Sequence, residues 1–372
     1  MTSLLTDPTY RRRLLTTLVV LVAASASAQP APTPHGVDLD SLAHAFIATT
    51  GAPSVVLGVV VDGRRYVVSA GEVNGAAPDE HTLYEIASVT KVFTSVLLAD
   101  AVVRGETTLE APLADVLGAP VGAHAAGPIR LVDLATHTSG LPRLDPAMDQ
   151  AEGHDARDPY AMYGPDDLLA FLADAEPATG PGEAPEYSNT AVGALGYALA
   201  RQADTTYGAL VADRVLAPLA MRETFTTVPD SLADRVAAGG TEAQPIPAWS
   251  WGEATVGAGG LRSSVADLLT FAQAVLDPAA TPLADALALT LEPRVALGDR
   301  QAHGLAWSLF DLNGGGTLAV HEGSTYGSSS LLGVVPNEGL AVVALANQAG
   351  SVGGLAVDVL GRLRTARAMA GR

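Results

Sequence analysis

Runs of β-branched residues lie near both ends of this 372-residue chain and are nearly absent between them. VVLGVVVDG and RRYVVSAGE, at 55–72, are joined by Asp62-Gly63, a dipeptide typical of tight hairpins. After residue 300 come GLAWSLFDL, GTLAVHEG, SSSLLGVVP and GLAVVALAN, which are separated by turn residues. We therefore predict an α/β (α+β) fold, in which one antiparallel sheet formed from both termini is flanked by helices and carries an inserted, mostly helical region.

The same pattern divides the chain into two predicted domains. Residues 37–105 together with 296–372 form an α/β sheet domain, and residues 106–295 form a mostly helical domain in which short Ala/Leu-rich stretches alternate with Pro- and Gly-rich loops. Three helices of the sheet domain are predicted, at 39–50, at 89–104 and from about 352 to 367, and glycines end the first two.

Residues 1–28 have the pattern of a secretory signal peptide. Arg11 to Arg13 precede the apolar run at 14–24, and Ala26-Ser27-Ala28 has the small residues of a cleavage site. The apolar run is shorter than the roughly 20 residues that span a bilayer. We expect removal of this segment and export to the periplasm or the extracellular space, with Gln29 as the new N-terminus. A buried N-terminal helix is the alternative.

Charge and cysteine content exclude several classes of function. The formal net charge of −19 argues against nucleic acid and anionic membranes as partners. The chain has no cysteine, which rules out disulfides and a thiolate nucleophile. No second apolar segment approaches the length that crosses a membrane. We expect a monomer that acts on a small-molecule substrate.

Lys91 is the only lysine among the 21 lysine and arginine residues of the chain. It lies in VTKVFTSVLLADAVV, a helix predicted to be buried because it is apolar nearly all round. Ser88 precedes it by three residues and would share its face of the helix. Arginine cannot lose its proton, whereas burial lowers the pKa of an amine towards that of a base. The pair is therefore a candidate nucleophile and base; chance spacing and a merely snorkelling lysine are the alternatives.

Two further clusters carry chemically useful groups. Tyr187 and Asn189 follow a Pro/Gly loop and precede a helical run, so a phenol could share in proton transfer and an amide could orient a substrate carbonyl. His321, Gly323 and Ser324 end a predicted strand, where a free strand edge could supply an N–H to an oxyanion. Each cluster alone is also compatible with a structural tyrosine or histidine.

Taken in order, these three motifs resemble those of the penicillin-recognising serine hydrolases. Their form here is similar to the branch that contains class C β-lactamases, D-aminopeptidases and esterases. LATHTSGLP (134–142) and GAGGLRSSVADLLTFAQAVL (257–276) resemble further segments of that branch. The resemblance extends over roughly residues 39–365. The three motifs are Ser88-x-x-Lys91, Tyr187-x-Asn189 and His321-x-Gly323.

The resemblance implies a β-lactamase-like fold and a role for each position. It makes Ser88 the acylated nucleophile and assigns proton transfer to Lys91 and Tyr187. Asn189 would contact the substrate amide. The backbone N–H groups of Ser88 and Ser324 would form the oxyanion hole. No cofactor and no metal is implied.

His321 and Gly323 would bind substrate, but His321 departs from the pattern of the β-lactamases proper, which carry lysine there. A mostly neutral imidazole next to Glu322 recognises a carboxylate poorly at neutral pH. We therefore expect hydrolysis of esters or amides, including peptidoglycan-derived peptides among the substrates. Two alternatives stay open, namely a β-lactamase or D-Ala-D-Ala carboxypeptidase proper, and a penicillin- or cell-wall-peptide-binding sensor without turnover.

Other hydrolytic and phosphate-binding motifs are absent from the sequence. No G-x-S-x-G occurs, since GSTYG at 323–327 has threonine at the nucleophile position. HEGST at 321–325 lacks the second histidine of a zinc motif, and the single lysine does not follow glycine as in a phosphate loop. These absences leave serine chemistry as the interpretation that the motifs favour.

Overall fold

A computed structural model describes most of the chain. The predicted signal peptide at 1–28 lies outside the described residues. Among those residues, no helix combines the length and apolar character needed to cross a membrane. The described ranges are 33–122, 124–150, 153–241, 244–350 and 352–370.

Twelve strands and eleven α-helices occur in these ranges. The strands are β1 (Ser54–Val61), β2 (Arg64–Gly71), β3 (Tyr84–Glu85), β4 (Gly239–Thr241), β5 (Gln244–Ile246), β6 (Arg262–Ser263), β7 (Val295–Gly298), β8 (Gln301–His303), β9 (Ser308–Asp311), β10 (Thr317–Ser324), β11 (Ser329–Val335) and β12 (Leu340–Ala346). The helices are α1 (Leu39–Thr50), α2 (Thr90–Val103), α3 (Leu113–Leu117), α4 (Leu131–Ala135), α5 (Pro165–Ala173), α6 (Asn189–Gln202), α7 (Tyr207–Val211), α8 (Val256–Gly259), α9 (Val265–Leu276), α10 (Ala284–Thr290) and α11 (Gly353–Ala370).

The main sheet has eight strands in the order β2-β1-β12-β11-β10-β9-β8-β7, and every neighbouring pair is antiparallel. β1 lies beside β12, so the two ends of the chain meet within the sheet, which confirms the predicted architecture. β7 and β8 extend the sheet beyond the prediction. Their residues are half-buried or exposed and include no β-branched run, so periodicity gave no signal for them.

Turn chemistry places the first elements as predicted. Asp62 and Gly63, with φ of 51° and 74°, join β1 to β2. Positive φ at both central residues matches the right-handed twist of the strands, which explains the Asp-Gly sequence. Gly51, with φ of 71°, ends α1 in the left-handed conformation that glycine adopts without a Cβ penalty.

The two faces of the sheet pack against different helices because strand side chains alternate. One face is covered by α1 and α11, the other by α9. Each fully buried Val or Leu contributes about 1.5–3 kcal/mol relative to exposure. In β12, the residues on the α1/α11 face are Leu340, Val342, Ala344 and Ala346, and those on the α9 face are Ala341, Val343 and Leu345.

Helix α2 runs through the interior, as predicted. Every residue from Thr90 to Ala101 is buried. It contacts α6, α8 and α10, which belong to the mostly helical region. The helix therefore carries its second residue, Lys91, to the place where the sheet meets that region.

Candidate active site

Ser88 lies in a sharp turn between β3 and α2. Ala87 has a φ of 44°, a conformation that costs a residue with a Cβ about 1–2 kcal/mol. Residues Ala87–Val89 form one 3-10 turn, and α2 follows from Thr90. The turn presents Ser88, the predicted nucleophile, half-buried at the start of the buried helix.

The backbone before Ser88 is fixed on two sides. The N–H of Ile86 donates to the carbonyl of Leu261 at 3.0 Å. The hydroxyl of Ser330, in β11, donates to the carbonyl of Ile86 at 2.7 Å. These bonds hold the turn in its strained conformation, because the surrounding structure over-determines it.

Lys91 Nζ lies 3.1 Å from Ser88 Oγ and donates to the carbonyl of Ala258 at 2.5 Å. The side chain is fully buried. Burial lowers the pKa of Lys91, because the ammonium form loses its hydration, and the phenol of Tyr187 opposes this shift only in part. The predicted pairing of serine and lysine is therefore present, with the amine in an environment that favours its neutral form.

Tyr187 joins the same serine from the helical region. Its Oη donates to Ser88 Oγ at 2.7 Å, and Lys91 Nζ lies 5.0 Å from the centre of its ring. The three residues predicted to act in acylation and proton transfer thus meet at one oxygen. They come from two segments almost 100 residues apart in sequence.

The residues after Tyr187 are held by the start of α6. Ser188 caps the helix, accepting the N–H of Ala191 at 2.9 Å, and donates to the carbonyl of Pro142 at 2.6 Å. Asn189 Nδ2 donates to Tyr160 Oη at 2.7 Å. The Oδ1 of Asn189 is buried without a hydrogen-bond partner among the described residues, which leaves it free to accept one.

The third motif forms the end of β10. β9 pairs with β10 only as far as Val320, and the turn around Ser88 lies beside the remainder. Gly323 allows a close approach there: a Cβ on it would lie 2.8 Å from the N of Ser88 and 2.6 Å from Ser330 Oγ. The predicted oxyanion donors, on Ser88 and Ser324, therefore belong to two backbone segments in direct contact.

His321 is buried, and its Nδ1 lies 2.6 Å from the carbonyl of Ala306. A carbonyl only accepts, so Nδ1 carries the hydrogen and Nε2 is an acceptor. Burial, with a smaller effect from the nearby amine of Lys91, lowers the pKa of His321 to about 3. The imidazole is therefore neutral, as the sequence indicated, but burial is the cause. Glu322 lies on the opposite, exposed face of β10.

Sequence reasoning missed two residues that position Tyr187. His137, with φ of 60°, packs its ring 4.5 Å from the ring of Tyr187, and its Nδ1 accepts the N–H of Ser188 at 3.2 Å. Burial lowers the pKa of His137 well below its usual range. The guanidinium of Arg143 lies 5.1 Å from the centre of the Tyr187 ring, as a cation–π contact. LATHTSGLP, the segment that contains His137, was the available signal.

Comparisons with known proteins show the family to which the chain belongs. The profile of the family described as Beta-lactamase matches residues 39–366. The D-alanyl-D-alanine-carboxypeptidase/endopeptidase AmpH of Escherichia coli (strain K12) is 31% identical over 277 residues, which cover 72% of this chain and 70% of AmpH. Penicillin-binding protein 4 of Amycolatopsis lactamdurans is 28% identical, covering 79% of this chain and 81% of that protein.

Solved structures show the same fold. The class C β-lactamase from Rhodobacter sphaeroides superposes with a TM-score of 0.74 at 24% identity, covering 88% of this chain and 98% of that one. A class C β-lactamase with one tyrosine replaced by phenylalanine gives a TM-score of 0.75 at 22% identity, covering 87% and 96%. The family match spans nearly the whole described region and includes all three motifs. This chain belongs to the β-lactamase family of serine hydrolases.

Proposed function

We propose that the protein is an exported serine hydrolase that forms an acyl-enzyme on Ser88. One observation carries the proposal: Ser88 Oγ lies within hydrogen-bond distance of both Lys91 Nζ and Tyr187 Oη. A nucleophile in contact with an activated base is the signature of covalent catalysis. The lowered pKa of the amine favours the unprotonated form of Lys91, which is the form that accepts a proton.

In the proposed acylation, neutral Lys91 Nζ takes the proton of Ser88 as Oγ bonds to the substrate carbonyl carbon. The carbonyl oxygen becomes an oxyanion that accepts hydrogen bonds from the N–H groups of Ser88 and Ser324. When the intermediate collapses, the carbon–oxygen or carbon–nitrogen bond breaks. The leaving group receives a proton from Tyr187, which is restored from Lys91.

Deacylation reverses these roles with water as the nucleophile. The Tyr187–Lys91 pair takes a proton from a water molecule while the oxygen of that water attacks the ester carbonyl of the acyl-enzyme. The bond to Ser88 Oγ then breaks, and the proton returns to the serine. The products are a free carboxylic acid and the original enzyme, so no cofactor enters the balance.

The state of His321 bears on the substrate class. A neutral imidazole that presents an acceptor at Nε2 offers a substrate carboxylate neither charge nor hydrogen. We propose esters and amides that lack a carboxylate at this position as the preferred substrates. The second candidate is D-Ala-D-Ala carboxypeptidase activity, favoured by the relative AmpH, whose name states that activity.

The test compares three substrates: p-nitrophenyl acetate, a fluorescent penicillin and a D-Ala-D-Ala peptide. Ester turnover without penicillin turnover supports the first candidate, and release of D-alanine supports the second. Lasting penicillin label without product identifies a sensor that is acylated but does not turn over. Ser88→Ala should lower kcat by about 10⁴-fold or more, and activity that survives in this variant would overturn the assignment.

Lys91→Arg separates charge from proton transfer. It keeps a cation but cannot accept a proton, so we expect kcat to fall at least about 10²-fold. A variant that retained most of its activity would show that Lys91 is not the base.

Export is tested apart from catalysis. Expression in a bacterial host followed by fractionation and N-terminal sequencing should give an exported product that begins at Gln29. Full-length protein that stays in the cytoplasm would contradict the signal-peptide assignment.

A further inference from the structure

Four aromatic side chains form a cluster, here called the aromatic wall: Tyr160, Trp249, Trp251 and Tyr326. The rings of Tyr160 and Trp251 stack with centroids 4.2 Å apart and an angle of 19°. Trp249 lies 5.4 Å from Tyr160, and Tyr326 meets Trp249 edge to face at 5.2 Å. Aromatic residues make up only 5% of the chain, yet two of its three tryptophans lie in this one cluster. This enrichment requires an explanation.

Two members of the aromatic wall, Tyr160 and Trp251, contact residues next to the predicted catalytic groups. Tyr160 Oη accepts a hydrogen bond from Asn189 Nδ2. Trp251 packs over Gly259 and Gly260: a Cβ on Gly259 would collide with its ring, and a Cβ on Gly260 would lie 3.1 Å from its Cβ and Cγ. These glycines follow Ala258, whose carbonyl accepts the hydrogen bond of the catalytic amine.

The other two members are tied to the end of β10 through one buried carboxylate. Glu85 accepts the backbone N–H of Trp249 and the hydroxyl of Thr325, both at 3.0 Å. Thr325 stands between Ser324, the predicted oxyanion donor, and Tyr326. The aromatic wall therefore lies next to residues that belong to, or are bonded to, each of the three motifs.

The rings are not simply part of the core. Tyr326 is 48% exposed, one of few large apolar side chains so exposed among the described residues. Trp249 and Trp251 are half-buried, and Tyr160 lies behind them, buried. Partly exposed aromatic rings next to a reactive centre are the usual lining of a small-molecule site.

The position of the wall identifies which half of a substrate it would meet. His321 lies three residues before Ser324, about 10 Å away along an extended strand. Tyr187 lies towards the His321 end: its ring packs on that of His137, and His137 is close enough to His321 that, besides burial, their electrostatic interaction lowers the pKa of His137. The phenol of Tyr187 would protonate the leaving group. The leaving group therefore belongs at the histidine end of β10, and the acyl group at the opposite end, beside Tyr326.

We propose that the aromatic wall binds the acyl group of the substrate, so that the enzyme prefers esters and amides whose acyl group carries an aromatic ring. This inference rests on the proposed acylation of Ser88 and adds the chemical class of the acyl group. Ring–ring contact with Tyr326 and Trp249 is the source of the preference.

The test uses two esters with the same leaving group, p-nitrophenyl acetate and p-nitrophenyl phenylacetate. After correction for their uncatalysed rates, wild type should show a kcat/KM at least tenfold higher on the phenylacetate. Tyr326→Ala should lower kcat/KM on the phenylacetate about tenfold, mainly through KM, and change acetate hydrolysis less than twofold. Tyr326→Phe keeps the ring and should behave as wild type. Equal losses on both esters, or no preference in wild type, would overturn the proposal.

A binding measurement separates this inference from the proposed function. In Ser88→Ala, phenylacetamide should change the tryptophan emission in a saturable way, whereas acetamide should not, because Trp249 and Trp251 are partly exposed and Trp307 is fully buried. Tyr326→Ala in that background should weaken the binding. If wild type hydrolyses neither ester but phenylacetamide still binds, the proposed function fails and the wall stands. If both esters are hydrolysed equally and phenylacetamide does not bind, the wall fails alone.

Discussion

Gly323→Ala tests whether the contact between β10 and the turn at Ser88 sets the geometry of catalysis. The φ of Gly323 is not in the left-handed region, so alanine fits its backbone and acts through space alone. The added Cβ would lie 2.8 Å from the N of Ser88 and 2.6 Å from Ser330 Oγ, and it would collide with the carbonyl oxygen of Ile86. Two of these three atoms are backbone, held by the bonds that fix the turn.

To bring these contacts back to van der Waals distance, the two segments must separate by about 0.5–1 Å. Overpacking of this kind costs about 1–3 kcal/mol of stability. The same displacement changes the spacing of the N–H groups on Ser88 and Ser324, whose distances to an oxyanion must stay at about 2.7–3.1 Å. A displacement of about 1 Å at a reacting centre can cost 10²-fold in rate, equivalent to about 2.7 kcal/mol. We therefore expect kcat/KM for p-nitrophenyl acetate to fall about 10²-fold.

Steady-state kinetics and urea unfolding measure the two effects separately. Gly361→Ala is the matched control, because nothing lies within 4 Å of its added Cβ and the residue is in α11. This control should keep full activity and gain up to about 1 kcal/mol in helix propensity. Gly323→Ala with activity within threefold of wild type would refute the role given to this contact.

Three more changes address the buried ionisable groups and the strained turn. Lys91→Met should abolish hydrolysis yet raise the free energy of unfolding at neutral pH. The folded pKa of Lys91 is below the unfolded 10.5, so this gain in stability should shrink as pH rises towards 10.5. A gain that stays constant when urea unfolding is measured from neutral pH to 10.5 would contradict this. His321→Gln should reduce the loss of stability at acid pH. The folded pKa of His321, about 3, lies below the unfolded 6.5, so wild type loses stability as pH falls from 6.5 towards 3. Parallel curves of unfolding free energy against pH for the two proteins would contradict a buried neutral imidazole. Ala87→Gly should keep activity and stabilise the protein by up to about 1 kcal/mol in urea, since glycine adopts a φ of 44° without strain; a clear loss of stability would mean that the turn is not strained.

Local sequence signals predicted much of the sheet. The bounds of α1, the Asp62-Gly63 hairpin and the strands β10 to β12 follow from period-two alternation and turn residues, all of which act within a few positions. The turn before Ser88 could not be predicted in this way. Ala87 carries no turn signal, and its positive φ is imposed by bonds from β11 and from the segment before β6.

In the candidate site too, contacts between residues close in sequence could be predicted, and contacts between distant residues could not. Ser88 and Lys91 are neighbours on one helical turn, so their contact could be predicted from spacing. Their contact with Tyr187 could not be predicted from spacing, since nothing local brings together residues so far apart. The sequence suggested only that a phenol could share in proton transfer, and the family resemblance assigned that role to Tyr187. The aromatic wall gave no sequence signal at all, because its members lie in three distant segments and share no spacing.

The neutral state of His321 also affects the pH dependence of the reaction. A second amine at this position would share the buried site with Lys91, and two cations there would each lower the pKa of the other. With a neutral imidazole in that place, burial is the main cause of the lowered pKa of Lys91, and the exposed Arg143 adds to it from outside. The base then titrates beside the phenol of Tyr187, which opposes the lowered pKa, and without a second amine as neighbour. The rate of acylation should therefore rise with pH as Lys91 loses its proton, without a second amine that titrates in the same buried site.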